Sequence, residues 1–150
     1  MPSQLEVRMA DLRDLDHVVP LFDAYRQFYR QPSDLEGARE FLRQRMEAKQ
    51  SVIFIAMDAS QAIGFTQLYP SFTSSAMKRM FILNDLFVTP DARRKGVGTA
   101  LLRQAAQFAK QEGAVRMVLS TESSNTTAQA LYEREGWTRN LTFRTYNLAL

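Results

Sequence analysis

The sequence predicts an α/β (α+β) fold, a mixed central β-sheet of about six to seven strands with helices on both faces and a parallel β-α-β core. Three observations predict it. Strand-like and helix-like periodicities run in the order β, α, α, then three strands able to pair antiparallel, then strand-helix-strand, helix and terminal strands. Apolar runs at 79–88 and 115–120 flank a helical pattern at 97–112, and strands joined through a helix pair in parallel by a right-handed crossover. Between the first run and that helix lies a basic turn with two glycines, at the carboxyl end of a strand, where open α/β sheets hold their ligands.

The elements follow in order. Leu5 to Met9 alternates apolar and charged residues as a half-buried strand does. Asp11, Asp14 and Asp16 cap the start of a helix whose apolar positions are Val18, Phe22, Tyr25 and Tyr29. Ser33 or Asp34 starts a second helix with Ala38, Phe41, Leu42 and Met46 on one face. Ser51 to Met57 reads as a buried strand, Asp58 to Gln61 as a turn, Ala62 to Tyr69 as its hairpin partner and Pro70 to Ser75 as a polar loop. After the central strand at 79–88, the helix at 97–112 turns Val97, Leu101, Ala105, Phe108 and Ala109 inward and stops at Gly113. Val115 to Ser120 is a strand, Thr126 to Glu135 a short helix closed by Gly136, and a strand pair near Trp137 and 142–149 ends the chain.

Size and composition set bounds. At 150 residues the chain is expected to be one domain with a core of its own. The net charge of +3 is too small to imply a nucleic-acid partner without a concentrated patch. Binding of nucleic acid through the Arg93 cluster is a competing reading, marked by a steep salt dependence. With no cysteine there is no disulfide, thiolate metal ligand or cysteinyl intermediate, and the single His17 builds no metal site alone. No metal is expected. Glu6 and Arg8 interrupt any apolar run at the N-terminus and no segment suits a membrane span, so a cytoplasmic protein without a membrane partner is expected.

The stretch Leu83 to Gly98 carries the chemistry. Free amides at a helix start, residues without a Cβ and the cations Arg93, Arg94 and Lys95 together suit a diphosphate. Two commoner phosphate motifs do not fit. A third glycine of the dinucleotide fingerprint is replaced by Leu101, and Gly98-Thr99 lacks the lysine of a P-loop. Taken alone, the glycines also read as a tight turn and the cations as a solvated loop.

Arg93-x-x-Gly96-x-Gly98, following Asp85-Leu86-Phe87-Val88, resembles the acyl-CoA-binding motif of the GCN5-related N-acetyltransferases (GNAT). Asn125, Ala128, Leu131-Tyr132 and Gly136-Trp137 resemble that family's second block, so the resemblance covers nearly the whole chain as a single domain, 1–150. Asn84 to Val88 with Thr121 to Asn125 is similar to a subgroup that includes yeast enzymes acetylating histones, polyamines and D-amino acids.

The resemblance implies acetyl-CoA as acyl donor and direct transfer to a primary amine in a ternary complex. Backbone groups of Phe87 and Val88 would pair with the pantetheine arm. Amides of Arg94, Lys95, Gly96, Val97 and Gly98 with the Thr99 hydroxyl would hold the pyrophosphate, and Arg93, Arg94 or Lys95 the 3′-phosphate. Asn125 resembles the residue that meets the pantetheine, and it also reads as a helix N-cap. Tyr132 resembles the tyrosine facing the departing sulfur, and it also reads as a core aromatic. The family's polyamine enzymes carry a glutamate where Asn84 stands, so Asn84 is expected to bind the substrate and the candidates for the base are Asp85 and Glu122. Asp85 reads equally as a structural hydrogen-bond acceptor.

The helix pair and the Pro70 to Ser75 loop would wall the acceptor pocket. Tyr25, Phe28 and Tyr29 with Asp23 nearby would suit a cationic amine, and aromatic residues at this spacing also read as core. Small amines, polyamines, amino acids and protein lysines all fit as acceptors. A non-catalytic acyl-CoA-binding module is the alternative. The aromatic terminal strands, with Trp137, Phe143 and Tyr146, leave an edge that a second copy would cover, so a homodimer is expected.

Overall fold

A computed structural model describes residues 4–150. The described chain forms two compact units, the first ending at Ser120 and the second Thr121–Leu150. The first unit is built on β1 (Leu5–Met9), α1 (Leu15–Phe28), α2 (Leu35–Glu47), β2 (Val52–Asp58), β3 (Gln61–Thr73), β4 (Lys78–Val88), α3 (Val97–Gln111) and β5 (Met117–Val118). The sheet order is β1-β2-β3-β4-β5. The first four strands pair antiparallel, and β5 pairs parallel with β4 through Phe81↔Met117 and Ile82↔Val118. The mixed sheet and the β-α-β crossover are thus as expected.

Local chemistry sets the helix starts. Asp11 and Asp14 form a reciprocal cap over a 3-10 turn, Leu12–Asp14, that leads into α1. Asp14 also accepts a two-pronged bond from Arg8 at 2.9 and 2.8 Å, which ties β1 to that turn. Asp34 caps α2 by accepting from Gly37 N at 2.9 Å.

Strand alternation sends β2 to both helical layers. Ile53, Ile55 and Met57 join Val18, Leu21, Phe22, Ala38, Leu42, Phe65 and Phe87 in the core beneath α1 and α2. Phe54 points the other way and meets Phe108 of α3 at 5.5 Å between ring centroids, as does Phe81 of β4. Gly64 of β3 allows α3 to come close. A Cβ there would stand 3.0 Å from the Phe87 carbonyl oxygen, 3.2 Å from Leu101 Cδ1 and 3.3 Å from Val97 Cγ1. Gly64→Ala is therefore expected to lift the first turn of α3 and to cost about 1–3 kcal/mol, read as a lowered urea midpoint at unchanged slope.

Three elements differ from expectation. Pro70 to Thr73 is strand and not loop: β3 runs on to Thr73, and only residues 74–77 turn. β2 stops pairing at Val52↔Leu68, so Pro70 faces a ladder on the β4 side alone, against Phe81, and its missing N–H is spent on the open side. The strand at 115–120 shrinks to Met117–Val118. In the second unit, α4 (Thr126–Arg134) forms as expected, but residues 137–150 form no strand. The sheet therefore holds five strands among the described residues, not six or seven. Alternation supplies a tendency only, and a ladder needs a partner edge.

Candidate active site

β4 ends at Val88, and a short turn delivers the chain to α3 with Gly96 as N-cap in the left-handed region, φ +81°. Arg94 also has positive φ, +63°, an uncommon and costly state for a residue with a side chain. The first intrahelical bond runs from Ala100 N to Gly96 O at 3.0 Å. The amides of Val97, Gly98 and Thr99 precede it and have no intrahelical acceptor. Val97 buries its side chain in the core while its amide stands at the helix start.

The three cations of the turn are not equivalent. Arg93 donates Nε to the Val88 carbonyl at 2.9 Å, and its guanidinium lies 5.6 Å from the Phe87 ring and 6.0 Å from the Phe28 ring. It links the end of β4 to the last residue of α1. Arg94 and Lys95 are exposed and carry no ion pair or side-chain hydrogen bond among the described residues.

On the α1 side of β4, Asp85 is 2% exposed. Its carboxylate accepts from the Gln67 and Asn84 side-chain amides, and its carbonyl from Thr66 Oγ1 at 2.8 Å. Burial pushes the Asp85 carboxyl above its ordinary value, partly offset by hydrogen bonds from Asn84, Gln67 and Tyr25. The register slips here: Gln67 pairs with Asp85 and Leu68 with Leu83, which leaves Asn84 in a bulge. Tyr25 donates its hydroxyl to the bulged Asn84 carbonyl at 3.1 Å and stands 5.0 Å from the Tyr29 ring. Sequence reasoning placed Tyr25, Tyr29, Asn84 and Asp85 as candidates, and the fold brings Tyr25, Asn84 and Asp85 into one network. It missed Gln67, which no motif marks, and Tyr69, whose hydroxyl is pushed up to about 12 by burial and by Asp85. Asp23 does not join this wall. It accepts from Ser33 Oγ, Asp34 N and Gln27 Nε2 at 2.7, 2.8 and 3.1 Å and so fastens the α1–α2 connection.

The second unit carries the remaining candidates. Asn125 caps α4, its side-chain oxygen accepting from Ala128 N at 3.1 Å. Glu122 is exposed, and its carbonyl accepts from Gln129 Nε2 at 3.1 Å. Tyr132 is half-buried, its ring 6.1 Å from that of Trp137.

The profile of the acetyltransferase (GNAT) family matches residues 18–137. The chain belongs to that family. Its GNAT relatives include an uncharacterized N-acetyltransferase, YhfO, of Bacillus subtilis, 49% identical over 96% of this chain and 97% of the relative. A crystal structure of a probable acetyltransferase superposes with a TM-score of 0.92 at 42% identity, covering 97% of both chains. An aminoglycoside N-acetyltransferase, AAC(6′)-Iy, solved with CoA, shares the fold at a TM-score of 0.82 and 19% identity, over 97% of this chain and 95% of that one. Among the described residues no group of side chains suits a metal ion, and no helix is long and apolar enough to cross a membrane.

Proposed function

We propose that residues 1–150 act as one acetyl-CoA-dependent N-acetyltransferase domain that moves acetyl directly to a primary amine in a ternary complex. The observation that carries this reading is the start of α3, where main-chain donors, a left-handed Gly96 and the uncommitted Arg94 and Lys95 follow the end of β4. In the proposal the amides from Arg94 to Gly98 and the Thr99 hydroxyl hold the pyrophosphate, and the edge of β4 at Phe87 and Val88, beyond the pairing with β5, takes the pantetheine. Arg93, already engaged, supports the turn, and Arg94 and Lys95 are the cations left for the 3′-phosphate.

The amine nitrogen bonds to the thioester carbonyl carbon, the C–S bond breaks, and CoA leaves as the thiolate. An alkyl amine of pKa about 10.4 must first lose a proton. Asp85 suits that transfer better than an ordinary carboxylate because burial raises its affinity for the proton; Glu122 is the other candidate acceptor. Tyr132 donates a hydrogen bond to the departing sulfur. A thiol of pKa about 8.5 is a stronger acid than a tyrosine at about 10, so Tyr132 need not give up its proton fully.

Release of CoA from acetyl-CoA across a panel of polyamines, amino acids and a lysine peptide tests the reading. Tyr132→Phe is expected to lower turnover about tenfold or more with the calorimetric affinity for acetyl-CoA held. Wild-type turnover in that variant would remove Tyr132 from the reaction, and binding without any acetylated acceptor would make the chain a binding module. A cytoplasmic location and a homodimer belong to the same proposal. Phe143 and Tyr146, 78% and 88% exposed, support the dimer, and its mass by light scattering is the check.

A further inference from the structure

Phe22 and Tyr25 of α1 pack in the core, but Phe28, the last residue of that helix, is 50% exposed. Its contacts give the exposed ring a use. The ring lies 5.2 Å from that of Tyr29 and 6.0 Å from the Arg93 guanidinium. The same guanidinium lies 5.6 Å from the Phe87 ring, and Arg93 Nε donates to the Val88 carbonyl at 2.9 Å. No carboxylate among the described residues pairs with Arg93, so two rings and one carbonyl hold it.

The direction of that carbonyl decides what the contact can do. Thr89 N–H donates to the Ile63 carbonyl at 2.9 Å, and Val88 stands opposite Gly64 in the register. Backbone groups alternate sides along an antiparallel strand. Val88 therefore turns its N–H and C=O away from β3, to the side where β5 pairs only with Phe81 and Ile82. That open side is the one that takes the pantetheine in the proposed function. Arg93 also stands next to Arg94, whose φ is +63°, so its bond to Val88 closes the turn back onto the strand it leaves. The run of rings continues from Tyr29 to Tyr25 at 5.0 Å, and the Tyr25 hydroxyl meets the Asn84 carbonyl at 3.1 Å. α1 thus holds β4 at two points, Asn84 directly and Val88 through Arg93.

We propose that Phe28 is a positioning residue for the acyl donor, acting through Arg93 to hold the Val88 carbonyl and the turn after it in the geometry that receives acetyl-CoA. The assignment rests on the acetyltransferase reading and extends it to a side chain that does not itself meet the cofactor. An exposed contact between a guanidinium and a ring is worth about two- to fivefold in an equilibrium constant, which sets the expected scale.

Two readouts on the full chain test it. Side-chain NMR of the arginine Nε–H groups follows the bond to Val88. In the wild type the Arg93 signal is expected to be protected from solvent exchange. Phe28→Leu keeps apolar bulk without a ring face and is expected to lose that protection, whereas Phe28→Tyr is expected to keep it. Calorimetry with acetyl-CoA follows the consequence: Kd is expected to rise about threefold in Phe28→Leu and to stay near wild type in Phe28→Tyr. In an Arg93→Met background Phe28→Leu is expected to add nothing further, because the link is already cut. Arg93→Gln serves the same cycle where Arg93→Met binds too weakly to titrate. Full protection of the Arg93 signal in Phe28→Leu would overturn the assignment. So would an unchanged Kd in that variant, or a loss of the same size with and without Arg93. A wild type that binds no acetyl-CoA would overturn the functional reading and this assignment together, whereas wild-type binding indifferent to Phe28 would overturn this assignment alone.

Discussion

Gly98→Ala is expected to make the protein more stable and a poorer binder of acetyl-CoA. The two effects have separate causes. Gly98 is the second residue of α3 and has no positive φ, so an alanine there adopts the native backbone and removes unfolded-state freedom. The expected gain is about 0.5–1 kcal/mol. On the proposed reading its amide is one of those that approach the pyrophosphate, and a methyl group keeps the ligand from closing that distance. A tenfold rise in Kd, about 1.4 kcal/mol, is the expected scale. Gly96 differs, because φ of +81° strains any L side chain. Gly96→Val should therefore lose both stability and affinity, while Gly96→Asn, tolerated in that region, should keep stability and lose affinity. Calorimetric titration alongside urea unfolding reads both axes. Unchanged acetyl-CoA affinity in the Gly98 and Gly96 variants would remove the turn from cofactor binding.

What the sequence revealed and what it concealed divide along physical lines. Periodicity found α1, α2, α3 and α4 because each repeats its apolar contacts over several turns, and Gly96 was legible because the turn that needs it lies next to the helix it opens. The end of β3 was concealed. Proline and serine at 70–71 read as loop, yet the ladder there has only one side, which depends on where β2 stops. Residues 137–150 show the converse, since Tyr146, Leu148 and Leu150 alternate as strand residues do and form no ladder. The bulge at Asn84, the Gln67–Asp85 bond and the α3–Gly64 contact all join residues far apart in the chain. No local pattern encodes them. Arg93 was legible as a cation of the turn, but its engagement with Val88, Phe87 and Phe28 needed the α1 layer in place.

Asp85→Asn is expected to flatten the stability of the protein against pH and to depress turnover. Burial raises the Asp85 carboxyl above its ordinary value of 3.8, and the hydrogen bonds from Asn84, Gln67 and Tyr25 offset this only in part. The native state then binds this proton more tightly than the unfolded chain does. Between 3.8 and the raised native value the native state holds more protons, so stability falls as pH rises through that window. Carboxylates lowered by their partners, Asp14, Asp23 and Glu40 among them, act oppositely: their contribution is present above their unfolded values of 3.8 to 4.5 and lost below. The two effects have opposite signs, and wherever the Asp85 window runs above about pH 4.5 its falling contribution stands alone. Urea midpoints of the wild type should decline through the window between 3.8 and the raised native value, and those of Asp85→Asn should not. The substitution is tolerable sterically. The new amide would face the Gln67 nitrogen, but a rotated Gln67 side chain offers its unpartnered oxygen instead. Turnover is expected to fall about 100-fold as the proton acceptor is lost, with the rise of kcat/KM on the acid side removed. An Asp85→Asn enzyme with wild-type rate and wild-type pH profile would leave Asp85 as a fastening between β3 and β4 alone.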